Sequence, residues 1–318
     1  MEAGRAASIP RVQVAHSLVR ESGRLDTHFG PFPMSHLKLP IRAATETLAA
    51  HGIVPDRCDV LQDGSTLVLR LSETLVARVV QDREGPRQGT DWFARENAIA
   101  QHLTALGSPV IPLHPDLPPG PYERLGYPMS FWVFVTRNDV PPAPLQVGHT
   151  LRQCHEALRS FEGDLPNLGI LTEAIAILQE RELFPGATQA MLADRLASSL
   201  RGMETLPQQP LHGDAHFGNV MNTTRGLLWT DWEDGFSGPV EWDLASLIWN
   251  AQILDEDHST VRSIRAAYGP VNEEALRICL VARAAVMTAW YPILYPNSNG
   301  DRQEKLKRRI EWLESNDE

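Results

Sequence analysis

The most informative part of the chain is residues 211–245, which read LHGDAHFGNVMNTTRGLLWTDWEDGFSGPVEWDLA. Nine polar side chains of the kinds that bind metals or move protons lie among apolar residues in this stretch: His212, Asp214, His216, Asn219, Asp231, Glu233, Asp234, Glu241 and Asp243. Acidic side chains in apolar surroundings are costly unless a cation or hydrogen bonds compensate them. The stretch therefore indicates either a site that holds a cation or a hydrogen-bonded structural cluster.

The spacing of the oxygen-bearing side chains suggests which cation it is. Asn219 and Asp231 fall at the ends of two short predicted strands joined by a turn around residues 223–226. Such a pair supplies the hard oxygen ligands that Mg²⁺ prefers, with phosphates and water as the others. Asp214 precedes Asn219 by five residues, so it can lie beside the metal and accept a proton from a hydroxyl group.

Three ordered motifs in this stretch resemble those of the aminoglycoside phosphotransferase family, whose members are relatives of protein kinases. They are HGDAHFGN at residues 212–219, LLWTDWE at 227–233 and EWDLA at 241–245. The resemblance extends over residues 40–318. It implies an α+β, bilobed, protein-kinase-like fold with a small antiparallel sheet in the N-lobe and a larger helical C-lobe.

The resemblance also implies a role for each residue that matches the motifs. Asp214 is expected to be the catalytic carboxylate next to the acceptor hydroxyl, and Asn219 and Asp231 are expected to hold Mg²⁺. His212 is expected to brace the catalytic loop, and Asp243 to support it from behind.

The order of the predicted elements agrees with two lobes. Strands are predicted at residues 67–71, 74–80 and 130–136, and a helix at 91–106, whereas helices dominate after the proline-rich segment 137–144. We expect an N-terminal arm or extra helix at residues 1–36, an ATP-binding N-lobe at 37–136, and a C-lobe with the catalytic loop and acceptor site at 137–318.

A charged pair is predicted inside the first lobe. Strand alternation places Val76, Arg78 and Val80 on one face, and a cation between two valines on a buried face needs an anion. Glu96 shares the apolar face of the following helix, so it is the expected partner of Arg78. A strand cation paired with a glutamate on the next helix is the kinase pattern, in which the cation is a lysine.

By the same resemblance, the first lobe supplies the contacts to ATP. Arg78 is expected to reach the phosphates, oriented by Glu96, and arginine binds phosphate with a geometry different from that of lysine. Asp63, Gly64 and Ser65 are expected to form the tight turn over the phosphates, where backbone N–H groups can approach the ligand. Phe134, Val135 and Thr136 are expected to contact adenine.

Composition and charge indicate which kinds of binding partner to expect. The net charge of −11 disfavours nucleic acid and would attract a cationic substrate. No apolar run has the length of a transmembrane helix, the N-terminus lacks the pattern of a signal peptide, and the three cysteines are scattered. We therefore expect a cytoplasmic enzyme with no membrane partner, either monomer or dimer, whose acceptor lies near the acidic residues Glu233, Asp234, Asp255, Glu256 and Asp257.

The sequence favours an ATP- and Mg²⁺-dependent phosphotransferase that modifies a hydroxyl of a small molecule, with GTP as an alternative donor. An aminoglycoside or other cationic antibiotic is one candidate acceptor, which would make the protein a resistance enzyme; choline, homoserine, a sugar and a macrolide are alternatives. A nucleotide-binding pseudokinase is a rival hypothesis, as is a metallophosphoesterase that begins at Asp26-Thr27-His28. His155 and His216 are interpreted as packing residues.

Overall fold

The computed structural model describes residues 36–81, 89–298 and 300–316. Apart from His36, the predicted arm at residues 1–36 lies outside the described residues. The first part of the chain forms two helices and five strands: α1 (Lys38–Ala50), β1 (Asp59–Gln62), β2 (Thr66–Arg70), β3 (Leu75–Val80), α2 (Asp91–Ala105), β4 (Tyr122–Arg124) and β5 (Tyr127–Val133).

The five strands make one antiparallel sheet in the order β1-β2-β3-β5-β4. Alternate residues of β3 are buried on opposite faces, as the period of a strand requires. Leu75, Ala77 and Val79 belong to the apolar cluster that α1 covers. Val76 and Val80 belong to clusters that include residues of α2. Arg78 therefore lies on the α2 side of the sheet, as predicted.

The second part of the chain is mainly helical. Its elements are α3 (Pro144–Leu158), α4 (Gly169–Glu180), α5 (Gly186–Glu204), β6 (Gln209–Pro210), β7 (Val220–Thr223), β8 (Gly226–Trp229), β9 (Ser237–Gly238), α6 (Glu241–Ile253), α7 (His258–Tyr268), α8 (Glu273–Leu294) and α9 (Gly300–Ser315). The predicted α+β architecture, a small antiparallel sheet followed by a larger helical part, is confirmed.

One predicted strand is displaced. Residues 130–136 were expected to form a strand, but β5 covers Tyr127–Val133, so Phe134, Val135 and Thr136 follow the strand. The ladder ends there because Val133 pairs with Leu75, the first residue of β3. The exact division of the lobes after residue 136 stays a prediction.

Helix α8 is the one described helix that is long and apolar enough to cross a membrane. However, 78% of its most apolar 18-residue window is buried inside the protein. It packs against α4, α5, α6 and α9. This is the burial of a central core helix, and such a helix is weak evidence for a membrane protein.

A glycine directly before Asp214 fixes the path of the loop that follows β6. Gly213 has φ +86°, and a Cβ atom there would lie 2.0 Å from the backbone oxygen of Asp234. Both the backbone conformation and the close approach therefore require glycine. Gly226 also has a positive φ, +98°, but a Cβ atom there would meet nothing within 4 Å.

These two glycines give a matched pair of substitutions. Gly226→Ala should lower the free energy of unfolding by about 1–2 kcal/mol, the cost of a positive φ for alanine. Gly213→Ala adds a clash with a backbone carbonyl, so its loss should exceed about 4 kcal/mol. Urea unfolding of both variants measures the difference. Equal losses would contradict the assigned constraint at Gly213.

Candidate active site

His212 links the strands of the β7–β8 hairpin to the loop that carries Asp214. Its Nδ1 accepts the backbone N–H of Asp214 at 3.3 Å, so its Nε2 carries the proton and donates to the backbone oxygen of Thr230 at 3.0 Å. The buried ring also contacts the rings of Trp229 and Trp232. These contacts agree with the predicted bracing role of His212.

The carboxylate of Asp243, at the start of α6, holds the backbone of the same loop. It accepts the N–H groups of His212 at 2.7 Å and Gly213 at 2.9 Å. His155 Nε2 lies 2.8 Å from the same carboxylate, and His155 Nδ1 lies 2.7 Å from the hydroxyl of Tyr268. Asp243 is fully buried, and His155 is the satisfied structural histidine that the sequence predicted.

The two predicted metal ligands lie at the same end of the β7–β8 hairpin. The backbone N–H of Thr230, which precedes Asp231, donates to the backbone oxygen of Asn219 at 3.0 Å. Asn219 Nδ2 donates to the backbone oxygen of Asp214 at 3.0 Å, and the side-chain oxygen of Asn219 takes no part in this bond. The hairpin and this hydrogen bond thereby bring Asp214, Asn219 and Asp231 together.

The donor set fits Mg²⁺. Asn219 and Asp231 present one amide oxygen and one carboxylate, both hard ligands. Across the described ranges, no group of three or more His, Cys, Asp or Glu side chains could hold a metal ion alone. An ion that takes one or two protein ligands and completes its shell from phosphates and water fits this amide and carboxylate.

Arg78 is the centre of a cluster with three carboxylates. Its Nη1 pairs with Glu96 of α2, and its Nη2 lies 2.9 Å from Asp231 Oδ1 and 3.3 Å from Glu233 Oε2. Although burial alone would lower the pKa of Arg78, the three carboxylates outweigh burial and raise it. Burial raises the pKa of the Glu96 carboxyl to about 7, against the opposing effect of Arg78. The predicted pair of Arg78 and Glu96 is present, and it extends to Asp231.

Asp214 is fully buried and lies between the side chains of Arg283 and His216. Arg283 Nη2 of α8 is 2.5 Å from Asp214 Oδ1, and His216 Nε2 is 3.2 Å from Oδ2. Burial alone would raise the pKa of Asp214, but His216 and Arg283 outweigh burial and hold the pKa well below its usual range. Burial alone would lower the pKa of His216, but Asp214 more than compensates and raises it.

Sequence reasoning missed Arg283 and the contact of His216 with Asp214. A usable signal was present for Arg283, because it interrupts the apolar run CLVARAAVMTAW at residues 279–290. An arginine at such a position is rarely buried unless a carboxylate pairs with it. No comparable signal pointed from His216 to Asp214, and His216 was interpreted as a packing residue of the loop.

The predicted nucleotide-contacting residues outside this cluster lie in one turn and in the segment that follows β5. Asp63, Gly64 and Ser65 form the turn between β1 and β2, as expected for a hairpin. The Asp63 carboxylate is bound by His36 at 3.1 Å and by Gln81 at 2.7 Å. Phe134 stacks under the guanidinium of Arg70, and the backbone N–H of Phe134 donates to Thr74.

Val135 and Thr136 continue from Phe134 toward the helical part of the chain. Val135 is buried in the large apolar cluster, and the backbone oxygen of Thr136 accepts the N–H of Thr224. The contact of these three residues with adenine stays a prediction.

The acidic residues expected around the acceptor are placed in two different regions. Glu233 and Asp234 are buried in the turn after Asp231, and Glu233 faces Arg78 of the sheet. Asp255, Glu256 and Asp257 follow α6, whose end at Ile253 is about 15 Å along the helix from Asp243.

The contacts of the second group are local. Asp255 pairs with His258, Glu256 pairs with Arg308, and Asp257 caps α7. Helix α6 lies between the two groups in the chain, and the expected place of both groups around the acceptor stays a prediction.

The chain matches one known protein family over most of its length. Residues 45–279 match the family model described as the phosphotransferase enzyme family, APH. The chain therefore belongs to this family, as the three motifs indicated, and it is a small-molecule phosphotransferase with an alcohol group as acceptor. No curated protein sequence matches the chain.

Solved structures share its fold at low identity. The amicoumacin kinase hAmiN, in complex with AMP-PNP, Ca²⁺ and Ami, has a TM-score of 0.69 at 11% identity, covering 89% of this chain and 96% of that one. The choline kinase LicA from Streptococcus pneumoniae has a TM-score of 0.62 at 14% identity, covering 88% and 100%. A spectinomycin phosphotransferase with ADP and spectinomycin has a TM-score of 0.60 at 17% identity, covering 86% and 97%.

The cluster around Arg78 should contribute to the free energy of unfolding, and substitutions of Arg78 test this. Arg78→Met removes the cation shared by Glu96, Asp231 and Glu233, so it should lower the free energy of unfolding by about 3–5 kcal/mol. Arg78→Lys keeps the charge and should lose less. Urea unfolding at pH 7 measures both.

Arg70→Met on the neighbouring strand is the matched control. The guanidinium of Arg70 lies 3.7 Å from the ring centroid of Phe134, and its Nε donates to the backbone oxygen of Ser72. Its loss should cost about 0.5–1 kcal/mol. If Arg78→Met is no less stable than Arg70→Met, the cluster does not support the fold as described.

Proposed function

We propose that the protein transfers the γ-phosphoryl group of ATP to a hydroxyl of a small molecule, with Mg²⁺ as cofactor. One observation carries this proposal: the buried carboxylate of Asp214, the amide of Asn219 and the carboxylate of Asp231 lie at one end of the β7–β8 hairpin. The same three residues are the catalytic and metal-binding residues that the sequence motifs imply.

Asp214 has the properties of a residue that orients the acceptor. Its low pKa keeps it ionised, so it can accept a hydrogen bond from the acceptor hydroxyl at neutral pH. The hydroxyl oxygen forms a bond to the γ-phosphorus while the bond from that phosphorus to the bridging oxygen breaks. The bonding electron pair leaves with ADP, and the hydroxyl proton passes to Asp214 as the new bond forms.

Asn219 and Asp231 are the residues that would hold Mg²⁺. When bound, the ion would neutralise charge on the phosphate oxygens. In the structure Asp231 is paired with Arg78, so Arg78 stands beside the position that the phosphates would occupy. Arg78, oriented by Glu96, would bind a phosphate through its planar guanidinium.

Nucleotide contacts from the sheet complete the proposed donor site. The turn at Asp63, Gly64 and Ser65 would cover the phosphates, and Phe134, Val135 and Thr136 would lie beside adenine. Structural neighbours have been solved with AMP-PNP, ADP and AMP, which supports a nucleotide as the donor. GTP remains an alternative to be tested with ATP.

Several classes of small molecule are candidates for the acceptor. Neighbours are named for amicoumacin, spectinomycin and choline, and one was solved with hygromycin B. The net charge of −11 supports a cationic acceptor, an antibiotic included, with a role in resistance. Homoserine, a sugar and a macrolide are the other acceptors proposed. The presence of all three site residues favours an enzyme over a nucleotide-binding pseudokinase.

A phosphorylation screen tests this function. Purified protein with Mg²⁺ and ATP, or GTP, is offered single hydroxyl compounds from the classes above. ADP or GDP release is followed by coupled assay, and the product is identified by its mass gain of one phosphate. At least one acceptor should be phosphorylated.

Asp214→Asn is the diagnostic variant for the screen. It should lower turnover by about 10²–10⁴-fold because the hydroxyl loses its proton acceptor, while the affinity for Mg·ATP is retained. Asp194→Asn, an exposed residue of α5, is the matched control and should keep full turnover. Full turnover by Asp214→Asn would refute the assigned role.

The metal site makes a separate prediction. Asn219→Ala removes one proposed ligand and should raise the Mg²⁺ concentration for half-maximal turnover by about tenfold or more. Asn222→Ala, three residues further along β7, removes a side chain that binds the backbone oxygen of Val140 and should leave the Mg²⁺ titration unchanged. Coincident titrations for Asn219→Ala and the wild type would count against Asn219 as a ligand.

A further inference from the structure

Several charged atoms around Asp214 have no role in the proposed reaction. Arg283 is 2% exposed, and only its Nη2 is engaged, by Asp214 Oδ1. Its Nε and Nη1 make no hydrogen bond to any residue in the described part of the chain. Asp214 Oδ2 has no hydrogen-bond partner among the described residues either, and His216 Nε2, 3.2 Å away, is its ion-pair neighbour.

Buried polar atoms without hydrogen bonds are rare in native proteins, because each costs stability. Here three of them belong to two side chains that touch each other, and one of those side chains is the predicted catalytic carboxylate. The set is chemically complementary to an alcohol. Oδ2 can accept the hydrogen of a hydroxyl group, and the N–H groups of Arg283 can donate to lone pairs of oxygen.

The position of Arg283 is fixed from two sides. It lies in the middle of the buried helix α8, and its guanidinium carbon is 5.7 Å from the ring centroid of Trp242. Trp242 in turn donates from Nε1 to the backbone oxygen of Gly213 at 2.7 Å, next to Asp214. Arg283 is therefore held against the catalytic loop by the core of the helical part.

We propose that Arg283 is a positioning residue of the acceptor site, which fixes Asp214 through Oδ1 and selects acceptors with an oxygen substituent beside the reacting hydroxyl. This proposal rests on the function proposed above. The reacting hydroxyl donates to Oδ2 and replaces the contact with His216. A neighbouring hydroxyl, carbonyl or carboxylate oxygen accepts from the free N–H groups of Arg283.

The charges of Arg283 and Asp214 account for the proposed preference for an oxygen substituent over an ammonium group. The permanent positive charge of Arg283 balances the carboxylate of Asp214 at 2.5 Å, so the pair offers no net attraction to an ammonium group next to the reacting hydroxyl. An arginine has donors and no acceptor, so it cannot form a hydrogen bond with an ammonium group. A cationic compound still fits if its positive charges lie further from that hydroxyl.

The first test measures the variants Arg283→Lys and Arg283→Met with Mg·ATP, using water as the smallest acceptor and then every acceptor found in the screen. Arg283→Met should lower kcat at least tenfold and leave the KM for ATP unchanged, because Asp214 is misplaced while the donor site is intact. Arg283→Lys keeps the charge on Asp214 and should restore part of kcat.

The matched control is Arg309→Met, a second buried arginine, which binds Asn250 on α6 and stacks on Trp249. Thermal unfolding of each variant sets an assay temperature at which all are folded. At that temperature Arg309→Met should retain the kcat of the wild type. If Arg283→Met and Arg283→Lys do the same, the inference is overturned while the proposed function stands.

The second test compares acceptors in pairs that differ in one group beside the hydroxyl: glycerate against serine, glucose against 2-amino-2-deoxyglucose, and 1,2-propanediol against 1-amino-2-propanol. The oxygen member should have at least a tenfold higher kcat/KM, and Arg283→Met should remove this preference. A preference for the amine member would overturn the inference. Failure of the wild type to bind Mg·ATP in a calorimetric titration would refute the proposed function, and the inference with it.

Discussion

The candidate active site depends on the hydrogen bonds that the buried carboxylate of Asp243 accepts. It accepts two consecutive backbone N–H groups, from His212 and Gly213, and it is held in turn by His155. A carboxylate with this many donors is stable without solvent, so it can fix a loop from inside the core. The loop then leaves Gly213 in a conformation that only glycine tolerates, and this directs Asp214 toward the hairpin that carries Asn219.

Ion pairs between buried charged groups join the two parts of the chain around this loop. Arg78 comes from the sheet and pairs with Asp231 and Glu233 after the hairpin, although about 150 residues separate them in the chain. Arg283 comes from α8 and pairs with Asp214. An unpaired charge in either place would cost several kcal/mol. The two arginines therefore hold the sheet and α8 against one hairpin and its loop.

Much of this arrangement could be predicted from local patterns. The alternation in residues 74–80 placed Arg78 on the α2 face, and helical spacing placed Glu96 opposite it; the structure shows the pair. The motif HGDAHFGN correctly indicated the family, and the hairpin between Asn219 and Asp231 formed where its turn residues predicted. The strand at 130–136 was misplaced because the end of β5 is set by its pairing with Leu75, which no local signal reports. No local signal related residues 233–234 to residues 255–257 either, since the length of α6 separates them in the chain.

The sequence alone determined the class of this protein, because its three ordered motifs, which are local in the chain, resemble those of a known family. It also determined the lone cation of β3 and its partner, because strand and helix periods fix which side chains share a face. Only the tertiary structure decided that Arg283 faces Asp214 and that Glu233 belongs with Arg78. Those contacts join residues about 70 and 155 positions apart, and their partners are chosen by where buried charges can be neutralised once the helices have packed.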